Sequence, residues 1–314
     1  MADPDPVALA GASAGRDVAA HREVEALLGD PGLDVVAVCT PPADHARLTA
    51  AALEAGKHLL VEKPLALTAE DAARVIEAAA RAPGLATVGL VYRWHRLHRI
   101  ARSLIAAGRI GPVAALHAVM TSDAAISPER SAGWRTDPAA GGGVLQELGT
   151  HQVDLWRFLL GSELGPLRAV TSGQSATLAG RMGDGTVVSA TLSSAAGCNH
   201  ELTAYGRSAT LSVRSDRYDG LEIVPVGQLP GDPRRRLSRG ARRVRALPGA
   251  LRSHRRGGDL ALAFQAQWRA FAAAIRDDAP LVVSLEDGRR ALDAVLAAQA
   301  TSAASHAVAG EPVA

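Results

Sequence analysis

The first third of the chain alternates short apolar runs with stretches of helical periodicity. Three continuous apolar runs are typical of strands buried on both faces: residues 34–40, 58–61 and 85–91. Each is followed by apolar residues at helical spacing: residues 44–55, 68–80 and 97–107. Glycines after two of these helices, and Thr68 with Asp71 at the start of another, mark their ends. Because strands and helices alternate, the pattern predicts a parallel α/β sheet.

The pattern changes after residue 112. A long strand is predicted over residues 113–121, and successive strand-like segments separated by Gly and Asp run from 167 to 226. Strands that follow one another directly favour an antiparallel sheet. Two helices, 260–275 and 285–302, end the pattern. The sequence therefore predicts two domains, residues 1–112 and 113–314.

Composition limits the class of protein. With 47% hydrophobic and 21% charged residues the chain is globular, and its net charge of +2 gives no indication of nucleic-acid or membrane binding. The two cysteines, Cys39 and Cys198, are far apart, so neither a disulfide framework nor a metal site is predicted, and they suit a reducing compartment. No apolar run approaches the ~20 residues needed to span a bilayer. The first ten residues do not read as a signal peptide, so a cytoplasmic protein is expected.

The segment 227–258 is unusually rich in arginine. It is interpreted either as a patch for a polyanion or as a solvated insertion between the sheet and the last helices. Between residues 234 and 256 there are no aromatic side chains to stack on bases, which favours the insertion.

Lys63 is one of two lysines in a chain with 32 arginines. Lysine can lose its proton when it is desolvated, whereas arginine stays charged. A lysine retained between Glu62 and Pro64 therefore suggests a site where that difference matters.

The segment 141–161 holds three glycines followed by a helical pattern. At about 100° per residue, Glu147, His151 and Asp154 share one face of the helix. A carboxylate one turn before an imidazole can orient it and raise its basicity. An amphipathic helix with a solvated polar face is the alternative. The rest of the helix is apolar, so a buried helix lining a site is predicted.

Four motifs together resemble the Gfo/Idh/MocA oxidoreductases, which include glucose–fructose oxidoreductase and inositol dehydrogenase. They are TPPADH at 40–45, VEKPLA at 61–66, RIGPV at 109–113 and GGGVLQELGTHQVD at 141–154. The resemblance implies a Rossmann-type domain followed by an α/β domain with an open, mainly antiparallel sheet, the last helices packing back towards the first domain. It also implies hydride transfer between NAD, or NADP, and a hydroxyl-bearing carbon of a sugar, cyclitol or related polyol. A homo-oligomer, dimer or tetramer, is expected, with neither a nucleic-acid nor a membrane partner and no metal.

Carried over by position, the resemblance assigns roles to individual residues. Lys63 and His151 are catalytic, and Glu147 replaces the more usual Asp as the partner of the histidine. The implied substrate-binding residues are Asp154, Tyr92, Arg93, Trp134 and Arg135. The implied cofactor-binding residues are Asp3, Thr40, Pro41, Pro42, His45, Glu62 and Lys63.

The chain departs from the family at the phosphate-binding fingerprint. No G-x-G-x-x-G precedes a helix, and the glycines at 11 and 15 have the wrong spacing. Residues 1–6 resemble the end of the family's first helix leading into its second strand, which makes Asp3 the candidate ribose ligand and favours NAD.

The first strand, the phosphate loop and most of the first helix, about 30 residues, are therefore expected to be missing. A misplaced start codon and a real loss both explain this; the presence of Lys63 and His151 favours the former. A real loss, which the short region 180–185 favours, predicts a catalytically inactive sugar-binding or scaffold protein.

Overall fold

The computed structural model describes residues 1–127, 133–228 and 233–309. Its first sheet contains three parallel strands in the order β1 (Val35–Val38), β2 (His58–Val61) and β3 (Ala86–Val88). They fall within the three predicted apolar runs, so the parallel α/β sheet is confirmed. The third strand is shorter than its run, because residues 91–94 turn into a short 3₁₀ helix instead of continuing the strand.

Helices connect these strands close to the predicted positions. They are α3 (His45–Glu54), α4 (Ala69–Arg81) and α5 (Arg96–Ala106), preceded along the chain by α1 (Pro6–Ser13) and α2 (Val24–Leu28). Thr68 caps α4 as predicted, since its Oγ1 accepts the backbone N–H of Asp71 at 3.0 Å. Before the sheet, an isolated parallel bridge pairs Ala2 with His21.

The second sheet has seven strands in the order β10-β9-β8-β4-β7-β6-β5. Their bounds are β4 (Val113–Thr121), β5 (Leu164–Ser172), β6 (Ser175–Met182), β7 (Val187–Ser193), β8 (Asn199–Gly206), β9 (Ala209–Arg214) and β10 (Leu221–Pro225). Every neighbouring pair is antiparallel except β4 and β7, which run parallel. The predicted mainly antiparallel sheet is confirmed.

The helix predicted after the three glycines consists of two parts. A π-helical turn, Leu145–Gly149, leads into α6 (Thr150–Leu160). Within α6, residues 152–159 are all buried, and Trp156 is fully buried against the second sheet. The predicted burial of this helix is therefore confirmed. The regular α-helical spacing assumed for Glu147, His151 and Asp154 is wrong, because Glu147 lies in the π-helical turn.

The last two helices are α8 (Gly258–Asp277) and α9 (Leu285–Ala309). Near its start α9 packs on the first sheet so closely that a Cβ on Gly288 would lie 2.7 Å from a methyl group of Val88. Thr87 Oγ1 donates a hydrogen bond to the carbonyl of Val283 at 2.8 Å. These contacts agree with the expected return of the last helices, and the domain boundary at residue 112 stays a prediction.

The arginine-rich segment forms a long helix, α7 (Pro233–Arg255), in a region where the sequence predicted only an insertion. Within the described part of the chain, no helix has the length and apolar character required to cross a membrane.

Candidate active site

The candidate site lies where the three parallel strands end. Thr40 and Pro41 follow β1, Glu62 and Lys63 follow β2, and the turn containing Tyr92 follows β3. Loops at the carboxyl ends of parallel strands meet at one edge of the sheet, which is where open α/β sheets bind ligands. The π-helical turn before α6 lies over this edge, since Lys63, which follows β2, forms a hydrogen bond with the turn.

Lys63 is held by the backbone of that turn. Its Nζ donates a hydrogen bond to the carbonyl oxygen of Glu147 at 2.8 Å. Burial lowers the pKa of Lys63, the charges of Glu147 and Glu62 oppose this, and that of Arg135 adds to it. A lysine therefore occupies a position where the ability to release a proton distinguishes it from arginine.

His45 joins the loops that follow β1 and β2. Its Nδ1 lies 2.6 Å from the carbonyl oxygen of Pro64 and its Nε2 lies 2.9 Å from that of Thr40. Desolvation lowers the pKa of His45 even though both carbonyls favour the protonated ring. Since both ring nitrogens face backbone oxygens, His45 sets the spacing of the two loops, and its predicted cofactor contact stays a prediction.

His151 belongs to a cluster of rings around Tyr92. The ring centroids of His151 and His200 lie 4.8 and 4.6 Å from that of Tyr92, both edge-on. His98 lies 5.2 Å from His200 in turn. Burial lowers the pKa of His151 well below its ordinary value, and the nearby charges of Lys63 and His200 act in the same direction. His151 is therefore a neutral imidazole at neutral pH.

Three histidines of this region were not predicted from the sequence: His95, His98 and His200. Burial lowers the pKa of His200 to about 3 and that of His95 to about 4. Among the described residues, neither ring nitrogen of His200 has a hydrogen-bond partner. The signal that could have identified His200 is the alternation along β8, which places it on the same buried face as Leu202 and Ala204.

Glu147 does not pair with His151 as the sequence suggested. The carboxylate of Glu147 instead forms an ion pair with Arg135, Oε1 lying 3.5 Å from Nε. The reason is the π-helical turn: Thr150 N–H bonds the carbonyl of Leu145, five residues earlier. A wider turn rotates Glu147 away from the direction that the α-helical spacing gave it.

Asp154 and Arg93 are bonded to each other inside the protein. Arg93 Nε lies 3.0 Å from both carboxylate oxygens of Asp154, and Nη2 lies 2.6 Å from Oδ1. Arg93 also bonds Asp287 at the start of α9 at 2.9 Å, and Arg157 lies 3.4 Å from the same carboxylate. Burial raises the pKa of Asp154, against the opposing effect of Arg93. The network ties α6 to α9, and direct contact of either residue with a substrate stays a prediction.

Trp134 and Arg135 lie on the loop that the glycines support. The Arg135 guanidinium stacks on the Trp134 ring at 4.7 Å. A Cβ on Gly142 would lie 2.3 Å from the carbonyl oxygen of Trp134, so only glycine fits beneath this loop. Gly141 is equally close to Pro42, where a Cβ would approach within 2.6 Å. The glycines thus bring backbone and proline close together at the mouth of the site.

The residues present fit one end of a nicotinamide cofactor better than the other. The predicted contacts Thr40, Pro41, Pro42, Glu62 and Lys63 gather at one edge of the sheet. Within the described residues no glycine-rich turn joins a strand of this sheet to a helix N-terminus, so these residues supply no phosphate cradle. Asp3 lies at the Ala2–His21 bridge, and its Oδ1 accepts the backbone N–H of Asp5 at 2.9 Å.

Two further features concern metal binding and open space near the site. No group of three or more His, Cys, Asp or Glu side chains in the described ranges is arranged to hold a metal ion. A cleft of about 1120 Å³ lies between α5 and α8; Arg93 borders it, and its lining is mainly arginine and aliphatic side chains.

Two family models match the chain in succession. Residues 3–90 match the model described as an oxidoreductase family with an NAD-binding Rossmann fold. Residues 98–212 match the model of the GFO/IDH/MocA C-terminal domain. The resemblance seen in the motifs is thereby confirmed.

Individual relatives are similar over part of the chain. The 1,5-anhydro-D-fructose reductase of Ensifer adhaerens is 43% identical over 157 residues, which is 49% of this chain and 45% of that protein. The chain thus spans about half the length of the curated relatives it matches.

Two solved structures share the fold. The WlbA dehydrogenase of Bordetella pertussis, in complex with NADH and UDP-GlcNAcA, superposes with a TM-score of 0.78 at 19% identity, covering 97% of this chain and 87% of that one. The scyllo-inositol dehydrogenase of Lactobacillus casei, with bound NAD(H) and scyllo-inositol, gives a TM-score of 0.77 at 19% identity, covering 97% and 88%.

Proposed function

Since the chain belongs to the Gfo/Idh/MocA oxidoreductases, we propose that it transfers hydride between a nicotinamide cofactor and a hydroxyl-bearing carbon of a sugar, cyclitol or related polyol. The observation that carries the proposal is the hydrogen bond from Lys63 Nζ to the Glu147 carbonyl, which holds the amine where its charge acts on the imidazole of His151. A cation and a neutral base at the carboxyl edge of a parallel sheet suit alcohol oxidation. The named relatives, an anhydrosugar reductase and an inositol dehydrogenase, support this substrate class.

The cofactor supplies the redox chemistry. When bound, NAD or NADP would supply the hydride acceptor for oxidation of the carbinol carbon and the hydride donor for the reverse direction. Thr40, Pro41, Pro42 and Glu62 would hold its nicotinamide end, and His45 would keep their loops in position through the Thr40 and Pro64 carbonyls. Asp3 is proposed as the ribose ligand, which favours NAD.

Lys63 and His151 would divide the work on the substrate hydroxyl. A neutral His151 can accept the O–H proton, and a protonated Lys63 can stabilise negative charge that develops on the oxygen. Each positive charge disfavours the other, since the charge of Lys63 lowers the pKa of His151. A proton accepted by His151 is therefore held weakly and can return to the substrate oxygen in the reverse direction.

The remaining residues would shape the pocket. Tyr92 positions His151 by edge-on contact, and Arg135, stacked on Trp134, lies on the loop at the mouth of the site. Asp154 and Arg93 would act through their buried network or on the substrate directly. Curated relatives of the chain are named reductases and dehydrogenases, which favours the catalytic function over the non-catalytic alternative.

The test is a screen of sugars and cyclitols with NAD and with NADP, following the absorbance of the reduced cofactor. Lys63→Arg should lower turnover by more than about tenfold, the low end of a proton-transfer role, and leave cofactor affinity nearly unchanged. Lys57→Arg is the matched control, because the Lys57 side chain bonds the carbonyl of Asp30 at the opposite end of β2 from Lys63.

Equal turnover in Lys63→Arg would refute the role of the lysine. Polyol binding without any cofactor reduction in the unaltered chain would support the sugar-binding alternative instead.

A further inference from the structure

Helix α7 concentrates positive charge that the net charge of the chain conceals. Between residues 233 and 256 the sequence has ten arginines and no Asp or Glu. The chain as a whole carries only +2, because acidic residues elsewhere balance this helix. The net charge of the chain affects its solubility, whereas a partner that binds at α7 interacts mainly with the positive charges of that helix.

One face of α7 attaches the helix to the protein. Small residues at helical spacing turn inwards: Ala246, Gly249, Ala250 and Ser253. Ser253 is buried and bonds Asp259 in α8, and Gly249 lies directly against the Tyr218 ring, where a Cβ would clash. Arg239 adds two hydrogen bonds to Glu222 in β10, at 2.8 and 2.7 Å. The orientation of the helix on the protein is therefore fixed.

The opposite face carries an exposed aliphatic stripe. Its members are Leu237, Val244, Leu247 and Leu251, which are 75%, 66%, 56% and 58% exposed. At about 100° per residue they fall within an arc of about 80°, centred about 150° from the inward-facing residues. A helix on a globular protein normally turns such a stripe towards the core.

Arginines border the stripe on both sides. Arg245 and Arg252 lie along one edge and Arg243 along the other, and all three are exposed. Arg245 and Arg252 have no ion-pair partner among the described residues, whereas Arg243 lies 3.8 Å from Asp219. An aliphatic stripe flanked by cations is the arrangement of helices that lie in the plane of a membrane surface.

We propose that α7 docks the protein on an anionic lipid surface, with the aliphatic stripe in the acyl boundary and the flanking arginines on lipid phosphates. Charge complementarity and the stripe favour this occupant over two others. A nucleic acid would leave the stripe in water and find no aromatic side chain on the helix to stack with. A second copy of α7 would bring arginine against arginine with no acidic residue on either helix. Docking concerns the surface of a bilayer and does not depend on the reaction proposed above.

The experiment is co-sedimentation of the full chain with vesicles. One set contains equal amounts of phosphatidylglycerol and phosphatidylcholine, and the other phosphatidylcholine alone. We expect binding to the anionic vesicles that is at least about tenfold tighter than to the neutral ones and that weakens as salt is raised.

Matched variants separate the two contributions. Val244→Ser with Leu251→Ser should weaken binding at least about tenfold, as expected when several methylene groups are no longer buried. Val7→Ser with Val170→Ser, equally exposed elsewhere, should leave it unchanged. Arg245→Gln with Arg252→Gln should reduce both affinity and salt dependence, whereas Arg22→Gln with Arg168→Gln should not.

Several outcomes would overturn the proposal. One is that the protein does not bind anionic vesicles although its circular dichroism spectrum shows that it is folded. A second is that the serine variant binds the vesicles as tightly as the unaltered chain, and that the chain binds polyphosphate or an oligonucleotide equally well. Helix α7 would then be a general polyanion-binding patch. A third is self-association that the serine variant abolishes while vesicle binding persists. Because the stripe is exposed, the serine variant should keep the thermal unfolding midpoint of the unaltered chain.

Discussion

The buried pair of Arg93 and Asp154 gives a prediction whose size follows from its geometry. Arg93 is 9% exposed and Asp154 is 2% exposed, and three hydrogen bonds of 2.6 to 3.0 Å join them. Replacing Arg93 with Ala leaves the carboxylate of Asp154 buried without its main partner. Breaking one side of a buried ion pair costs about 3–5 kcal/mol, because the remaining charge is desolvated and uncompensated.

The assay is equilibrium unfolding in urea, followed by circular dichroism. Arg93→Ala should lower the free energy of unfolding by about 3–5 kcal/mol, whereas Asp154→Ala should cost less, because Arg93 keeps its hydrogen bond to Asp287. Arg74→Ala is the control: its pair with Asp71 lies at the surface, where Arg74 is 76% exposed, and should contribute no more than about 1 kcal/mol.

A double variant decides whether the two residues act together. Arg93→Met with Asp154→Leu removes both charges, so its cost should fall well below the sum of the single costs. Additive costs would refute the coupling. Unchanged stability in Asp154→Ala with a higher KM would instead mean that this carboxylate serves the substrate alone, as the family resemblance suggested.

Three further predictions concern the site. Glu147→Gln should lower turnover by less than about tenfold, because its backbone carbonyl still holds Lys63; a dead variant in the same absorbance assay would restore the carboxylate to catalysis. His200→Phe should make stability less dependent on acid. Burial lowers the folded pKa of His200 to about 3, so the unfolded chain binds a proton first as pH falls below about 6.5. Stability is then lost by about 1.4 kcal/mol per pH unit down to pH 3, and urea unfolding across that range should show a smaller slope in His200→Phe; an unchanged slope would contradict the burial of a neutral His200. Gly142→Ala should destabilise by about 1–3 kcal/mol in the same unfolding assay, because its methyl group would meet the Trp134 carbonyl at 2.3 Å; no change would contradict the loop position.

The sequence was most informative where apolar patterning decides the structure. Continuous apolar runs located β1, β2 and β3, because strands of a sheet that is covered on both faces favour apolar residues at successive positions. The Thr68 cap was predictable for a similar reason, since the exposed amides at a helix start need an acceptor close in sequence. Local rules of this kind do not require knowledge of the tertiary fold.

Partners distant in sequence could not be predicted in the same way. Asp287 meets Arg93 across 194 residues, and His200 meets Tyr92 from a strand that follows both catalytic candidates. His200 lies between Asn199 and Glu201, on the same strand face as Leu202, and this alternation has the same local pattern whether the histidine packs in a core or borders a site. The face of α7 that meets the protein was also hidden, because its small residues carry little signal until α8 and Tyr218 are in position.

The π-helical turn explains why Glu147, His151 and Asp154 do not share one helix face as the sequence predicted. The prediction assumed 100° per residue from Glu147 to Asp154, and that spacing holds only from Thr150 onwards. In the turn, two successive carbonyls accept side-chain hydrogen bonds: Gln146 from Thr150 Oγ1 at 2.9 Å, and Glu147 from Lys63 Nζ at 2.8 Å. A regular helix directs its carbonyls along its own axis towards amides one turn ahead. The irregular turn therefore gives the second domain a backbone acceptor for the lysine of the first, and couples the position of Lys63 to that of His151 in the helix that follows.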